Sequence, residues 1–229
     1  MLSKKLSVHE KRKKCREYDR KWRLKDPEHA RALALKRKHK GRKRNKQIIL
    51  DYKNEHPCTL CRESDPCCLS FHHANPNEKI DSVYKLAKAP CSLGRLVQEI
   101  NKCIMLCENC HRRLHWSEYG KKYDDFLEMP KHAYSLLGAK EWRRRYKYKQ
   151  TRLARKFIYE IKLKSVCRCG ECHPACLDFH HKDEHKKQYQ ISYMARDLCS
   201  IKRIKLEIAK CIILCANCHR KYHANSHSM

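Results

Sequence analysis

The chain has 229 residues, and its 54 Lys and Arg against 25 Asp and Glu give a formal net charge of +29. A surplus that large opposes compaction unless an anionic partner neutralises it, and nucleic acid is the usual partner, ahead of a membrane surface. No apolar run approaches the ~18 residues of a membrane span. The opening Met1-Leu2-Ser3-Lys4-Lys5 has no apolar core behind its charges, so neither a spanning helix nor a secretory signal is expected. The expected setting is the cytoplasm, or the nucleus of a eukaryotic cell.

In chain order, residues 1–57 form a basic arm with 21 Lys and Arg against 7 Asp and Glu, so the charge is concentrated there. Asp26-Pro27-Glu28 is a helix start, with a capping side chain, a proline at the first helical position and an acid in the first turn. Gly41 is the expected stop of that helix. A second helix over 43–53 then presents Ile48, Ile49 and Tyr52 on one face. Lys36, Arg37, Lys38, Arg42, Lys43 and Arg44 are the arm's candidate phosphate contacts.

Beyond the arm the chain repeats itself. Phe71-His72-His73 recurs as Phe179-His180-His181, and Cys103 to Arg112 recurs as Cys211 to Arg220, both at an offset of 108. Between 58–115 and 166–223 no gap is needed and 25 of 58 positions are identical, which marks a duplicated module. Within the first copy, Leu69 to His73 and Lys102 to Leu106 read as short strands, and Cys110 to about Tyr119 as a helix. Leu93, Leu96, Val97 and Ile100 fall at helical spacing behind Ser92, a cap that Ser200 repeats. Residues 116–165 connect the copies. They hold a helix from Leu153 to Leu163 and a basic cluster, Arg143, Arg144 and Arg145, as further candidate phosphate contacts. Residues 224–229 are a tail.

The 17 cysteines sit mostly in short pairs near histidines, a pattern of metal ligation in a reducing compartment. Cys58-x2-Cys61 with Cys107-x2-Cys110 is the spacing of a closed, structural Zn2+ site. In the second copy Cys169, Cys215 and Cys218 keep their places but Val166 stands where Cys58 would be. Cys167 is the preferred fourth ligand, with Cys172 as the alternative. Two structural zinc ions are expected, supplying folding energy to modules with little apolar core. The other repeated cysteines, Cys68/Cys176, Cys91/Cys199 and Cys103/Cys211, read as small buried hydrophobes.

Each copy also keeps four histidines: His72, His73, His111 and His115, then His180, His181, His219 and His223. His111 and His115 are four apart on a helix and share a face, whereas adjacent strand residues point to opposite faces. Two helix histidines and one strand histidine can hold one divalent metal, and the other strand histidine is free to take a proton from water. Phosphodiester hydrolysis needs that pair of functions. A zinc finger without catalysis is the rival reading, but the cysteines already supply four ligands.

On the strings Cys58-x2-Cys61, Leu69-Ser70-Phe71-His72-His73 and Leu106-Cys107-Glu108-Asn109-Cys110-His111-x3-His115, each module resembles an HNH nuclease domain of the type common in phage, homing and restriction enzymes. The resemblance covers both cores, about half of the chain. It implies an α+β fold of two tandem ββα-metal modules, each with a four-cysteine zinc knuckle, joined by basic helical segments. It implies His73 and His181 as general bases, His72, His111, His180 and His219 as metal ligands, and His115 and His223 as further metal or phosphate ligands. Mg2+ or another divalent cation is then the expected catalytic metal, DNA the expected substrate and partner, and hydrolysis by nicking or double-strand cutting the expected reaction. A zinc-stabilised binding protein and a nuclease acting on RNA are the alternatives. The asparagine that names the family is replaced by Lys102 and Lys210 in register, with Asn101 beside the first.

Overall fold

A computed structural model describes residues 7–89, 91–119 and 133–226. Part of the expected linker, 120–132, lies outside the described residues, as do the first six residues and the last three of the tail. The fold is a small α+β arrangement with two two-stranded sheets. Among the described residues no helix is long and apolar enough to cross a membrane.

The arm consists of α1 (Val8–Lys25) and α2 (Pro27–Glu55). Helix α1 begins in a capping box, in which Ser7 Oγ accepts from the Glu10 amide at 3.2 Å and Glu10 Oε2 accepts from the Ser7 amide at 2.8 Å. It buries no residue. Asp26 Oδ1 accepts from the His29 amide at 3.0 Å, so the expected start of α2 is where the sequence places it. The expected stop at Gly41 is not a stop, because α2 runs through it. A helical glycine costs about 1 kcal/mol. Beyond it the continuing helix buries Ile49, Asn45 and Lys53, and Lys53 Nζ donates to the Pro66 carbonyl at 3.0 Å.

The first module contains β1 (Leu69–His73), α3 (Val83–Lys88), α4 (Leu93–Ile100), β2 (Cys103–Cys107) and α5 (Glu108–Tyr119). After α6 (Ala133–Leu163), bent at Gly138, the second contains β3 (Leu177–His181), α7 (Ile191–Arg196), α8 (Ile201–Ile208), β4 (Cys211–Cys215) and α9 (Ala216–Ser226). Ser92 and Ser200 cap α4 and α8 as expected, each accepting from the amide three residues on. The short helices α3 and α7 carry too few residues to show a helical period, and the sequence reading omits them.

The chain forms two compact units, Met1–Tyr52 with His73–Cys103, and Lys53–His72 with Ile104–Met229. In the first, Val83, Leu86, Ala87, Leu96 and Ile100 are buried, and Arg42 Nε donates to the Lys88 carbonyl at 2.6 Å, tying α2 to α3. In the second, β3 and β4 pair antiparallel with Phe179 opposite Ile213 and His181 opposite Cys211. Ala154 of α6 packs with Ile191, Met194, Ala195 and Ile204. A smaller cluster of Cys167, Leu177, Leu214 and Cys215 lies on the knuckle side.

Within this second unit, α5 and α9 meet at their N-terminal ends. A helix leaves its first amides without intrahelical acceptors. Here each helix supplies the other's: the Asn109 amide donates to Asn217 Oδ1 at 3.2 Å, and the Asn217 amide to Asn109 Oδ1 at 3.3 Å. The Cys68 and Cys176 thiols repeat the exchange, donating to the Asn217 and Asn109 carbonyls at 3.4 and 3.3 Å. Ion pairs Arg113–Glu171 (2.6 Å), Lys221–Glu63 (2.9 Å) and Arg220–Glu108 (2.6 Å) surround this contact. The constant offset thus covers an interface as well as two sites: Asn109 and Asn217 are the same residue of the repeat, facing each other.

Replacing Asn109 or Asn217 by Ala strands a buried amide. Each change should lower stability by about 1–3 kcal/mol, measured by denaturant unfolding with zinc present, while zinc content stays unchanged.

Candidate metal centres

Four sulfurs converge in each module. Cys58, Cys61, Cys107 and Cys110 form one group and Cys167, Cys169, Cys215 and Cys218 the other, all eight being the expected ligands. Cys61 and Cys107 Sγ are 3.5 Å apart, and Cys169 and Cys215 Sγ 3.6 Å. Thiolates held about 2.3 Å from a tetrahedral zinc lie roughly 3.7 Å from one another, so both groups fit the ion. Backbone amides turn inward as well, with those of Cys110 and Cys218 donating to Cys107 and Cys215 Sγ at 3.4 Å. At Cys58 and Cys167 burial raises the thiol pKa, but amide hydrogen bonds outweigh it and bring both to about 7. Cys172 is exposed and outside the group. The one-residue contraction before Cys169 is taken up in the turn itself: the Arg62 amide donates to the Cys58 carbonyl four residues back, and the Gly170 amide to the Cys167 carbonyl three back, with both residues at positive φ.

Three histidines converge in each module as well: His72, His111 and His115, then His180, His219 and His223. Nε2 of His115 is 3.0 Å from Nε2 of His111, and the His223–His219 pair is at 3.1 Å. Imidazoles bound about 2.0–2.1 Å from one ion are separated by roughly 3 Å, so the triads fit a divalent cation. The far nitrogens of His111 and His219 each have a partner. Ser70 Oγ lies 3.1 Å from His111 Nδ1, and Asp178 Oδ2 lies 3.4 Å from His219 Nδ1. An ionised carboxylate only accepts, so His219 carries its proton on Nδ1 and turns a lone pair at Nε2 toward the other two rings. Burial, and then repulsion by His115 and His72, lowers the pKa of His111, which favours the neutral ligating form. At Asp178 burial raises the pKa, but hydrogen bonds from His219 and Arg112 outweigh it and leave the carboxyl at about 2.

The remaining histidines meet a partner the sequence reading did not name. His73 Nε2 lies 2.9 Å from Glu99 Oε1, and His181 Nε2 lies 2.9 Å from Glu207 Oε1, with both carboxylates buried. Lys102 Nζ reaches Glu99 Oε2 at 2.9 Å and the Glu78 carbonyl at 3.0 Å. Lys210 Nζ reaches Glu207 Oε2 at 2.8 Å and the Lys186 carbonyl at 3.3 Å. Amides of Ile80 and Gln188 also donate to the glutamates, at 3.0 and 2.9 Å. Burial raises the pKa of both glutamates, and these hydrogen bonds outweigh it, bringing each to about 2. Lys102 and Lys210 therefore brace the loop together with the glutamates, in both copies. Asn101 is an exposed C-cap residue of α4. The signal for Glu99 and Glu207 was present: an acid, identical in both copies, on the same helix face as Leu96 and Ile100.

In the second module His181 and the triad line one cavity of about 200 Å3, together with Phe179, Lys187, Gln190 and Ile191. Lys187 repeats Lys79 and was likewise not singled out from sequence. The expected phosphate contacts lie on the long helices. Lys36, Arg37, Lys43 and Arg143 are exposed and Lys38 is half-buried. Arg42 is engaged with Lys88, Arg44 with Asn45 Oδ1 at 2.9 Å, and Arg144 and Arg145 each with Glu141 at 2.9 Å. No known protein family, curated protein or solved structure matches the chain, so the HNH resemblance stands on the motifs alone.

Purified protein should hold two zinc ions per chain by metal analysis. Cys58→Ala and Cys167→Ala should each reduce this to one. Cys172→Ala should leave two, and a loss there would place Cys172 in the knuckle.

Proposed function

We propose that the chain is a metal-dependent endonuclease that hydrolyses DNA phosphodiester bonds through two HNH-like sites. The observation that carries the reading is the cavity in the second module, where a histidine triad fit for a divalent cation and a carboxylate-braced fourth histidine line the same space. The first module repeats the same residues at the same offset.

His180, His219 and His223 would hold the cation, which when bound stabilises the charge that builds on the scissile phosphate. His181 does the proton chemistry. Glu207 accepts from its Nε2–H, which fixes the tautomer and leaves the Nδ1 lone pair to take a proton from water. The ionised glutamate steadies the imidazolium that forms, and Lys210 and the amides at Gln188 and Tyr189 keep that glutamate in place. Lys187 lines the same cavity and would meet a phosphate oxygen there. In the first module His73, Glu99 and Lys102 repeat the brace, and His72, His111 and His115 repeat the triad. The basic arm supplies affinity for the nucleic-acid backbone, and two sites in one chain allow both strands to be cut.

Supercoiled plasmid incubated with the protein and Mg2+ or Mn2+ should be nicked and linearised, and EDTA should stop both. The double variant His73→Ala, His181→Ala should still bind DNA but cut it about 10²–10⁴-fold more slowly. Binding without any metal-dependent cut by the wild type would leave a zinc-stabilised binding protein in its place, and preferential cutting of RNA would change the substrate.

Deleting residues 1–57 should flatten the salt dependence of DNA binding, each lost phosphate contact removing about 0.9 from the log-log slope. An unchanged slope, read by filter binding over a salt series, would place the affinity elsewhere.

A further inference from the structure

The two triads are built from the same residue types but are not supported in the same way. Where the first module has Ser70 behind His111, the second has Asp178 behind His219. Ser70 is neutral, and its hydroxyl also lies 3.4 Å from the Leu106 carbonyl, to which it donates. Asp178 is a carboxylate, and its second oxygen is held from outside the second module: Arg112 Nη1 of α5 lies 2.9 Å from Asp178 Oδ1. Arg112 is the chain neighbour of His111, a ligand of the first triad. Its equivalent, Arg220, makes no matching contact and instead meets the Cys67 carbonyl at 3.2 Å and Glu108 at 2.6 Å. The otherwise reciprocal interface is thus broken at this pair. A second difference points the same way. The Tyr222 ring lies 4.3 Å from the His180 ring, centroid to centroid, where the first module has Leu114, and His180 is buried while His72 is half-buried.

We propose that the triads are unequal metal sites, the second binding a divalent cation more tightly than the first, and that the first module completes the second site through Arg112, which positions Asp178 behind His219. This rests on reading the triads as metal sites and not on any catalytic activity. A carboxylate hydrogen-bonded to the far nitrogen of a ligating imidazole fixes the ring and makes the near nitrogen more basic. Losing such support typically lowers metal affinity about 10–100-fold. A serine hydroxyl orients the ring without lending charge. Arg112 is a positioning residue two steps from the metal. Because it reaches across the contact made by α5 and α9, the second site is complete only while the modules are docked.

The test is a Co2+ titration of the full chain with its cysteine knuckles filled with zinc, followed by calorimetry and by the visible bands of nitrogen-bound cobalt. Thiolate-bound cobalt absorbs differently, so displacement of zinc would be seen. His180→Ala leaves the first triad to be measured alone, and His72→Ala leaves the second. The second should bind about 10-fold or more tightly than the first. Asp178→Asn and Arg112→Gln, made on the His72→Ala background, should each weaken the second site about 10-fold. Arg112→Gln on the His180→Ala background should leave the first site within about twofold, although Arg112 adjoins its ligand. Should Arg112→Gln lower the melting temperature or the zinc content, Asp178→Asn, which preserves size, decides the matter. Equal affinities in the two triads, or weakening of the first site by Arg112→Gln, would overturn the proposal. An affinity difference in a protein that cuts no nucleic acid would uphold it while removing the nuclease reading, and no cobalt at either triad would overturn both.

Discussion

The cysteine groups, the histidine triads and the contact between α5 and α9 all hang on the turn where the second strand becomes the helix. Cys107 ends β2 and Cys110 lies in the first turn of α5, and their sulfurs gather with Cys58 and Cys61. That convergence sets the rotation of the helix about its axis, and the rotation then decides what each following side chain can reach. Asn109, between the two cysteines, faces the other module. His111 and His115 turn to the triad, and Arg112 turns across the interface to Asp178. The same assignment holds in Cys215 to His223 for the knuckle, the asparagine and the triad. One short stretch therefore carries cysteine group, interface and histidine triad, and it is among the best-kept parts of the repeat.

The second constraint is a buried charge. Putting Glu99 and Glu207 in the interior is unfavourable unless every lone pair is occupied. Each carboxylate meets a lysine, a histidine and two backbone amides. Removing any one partner would leave the charge under-compensated, so the group behaves as a unit. Its geometry holds the loop after the first strand against the short helix before the second. It also fixes which nitrogen of His73 and His181 is free. Structural brace and chemical tuning are one set of hydrogen bonds.

Duplication has a physical consequence beyond a second copy of a site. Each helix start has amides that need acceptors, and a single module would leave them to water. Two copies satisfy one another through Asn109 and Asn217, and the surrounding ion pairs add registry more than energy, because partly exposed pairs contribute little. Once the copies are locked together, a residue in one can be recruited by the other. Arg112 and Asp178 are the result of that freedom, and the two sites need no longer be alike.

The sequence by itself determined a good deal. The repeat, the eight knuckle cysteines including Cys167, the strands at 69–73 and 177–181, the caps at Ser92 and Ser200, and the two histidine sets were legible. All of these are local patterns or exact recurrences, and side chains able to share one metal ion must recur at fixed spacing. Other features were decided only in three dimensions. Gly41 passes inside a helix whose far half is held by burial of Ile49, a contact that lies beyond the local pattern. Glu99 stands out in the sequence as a repeated acid on the apolar face of α4, but its four partners, His73, Lys102 and the amides of Ile80 and Asp81, are decided by packing. The Asn109–Asn217 exchange and the Arg112–Asp178–His219 chain join residues 108, 66 and 41 positions apart. Contacts between such distant positions depend on how the elements pack, and the linear order of residues carries no signal of them until the chain is folded.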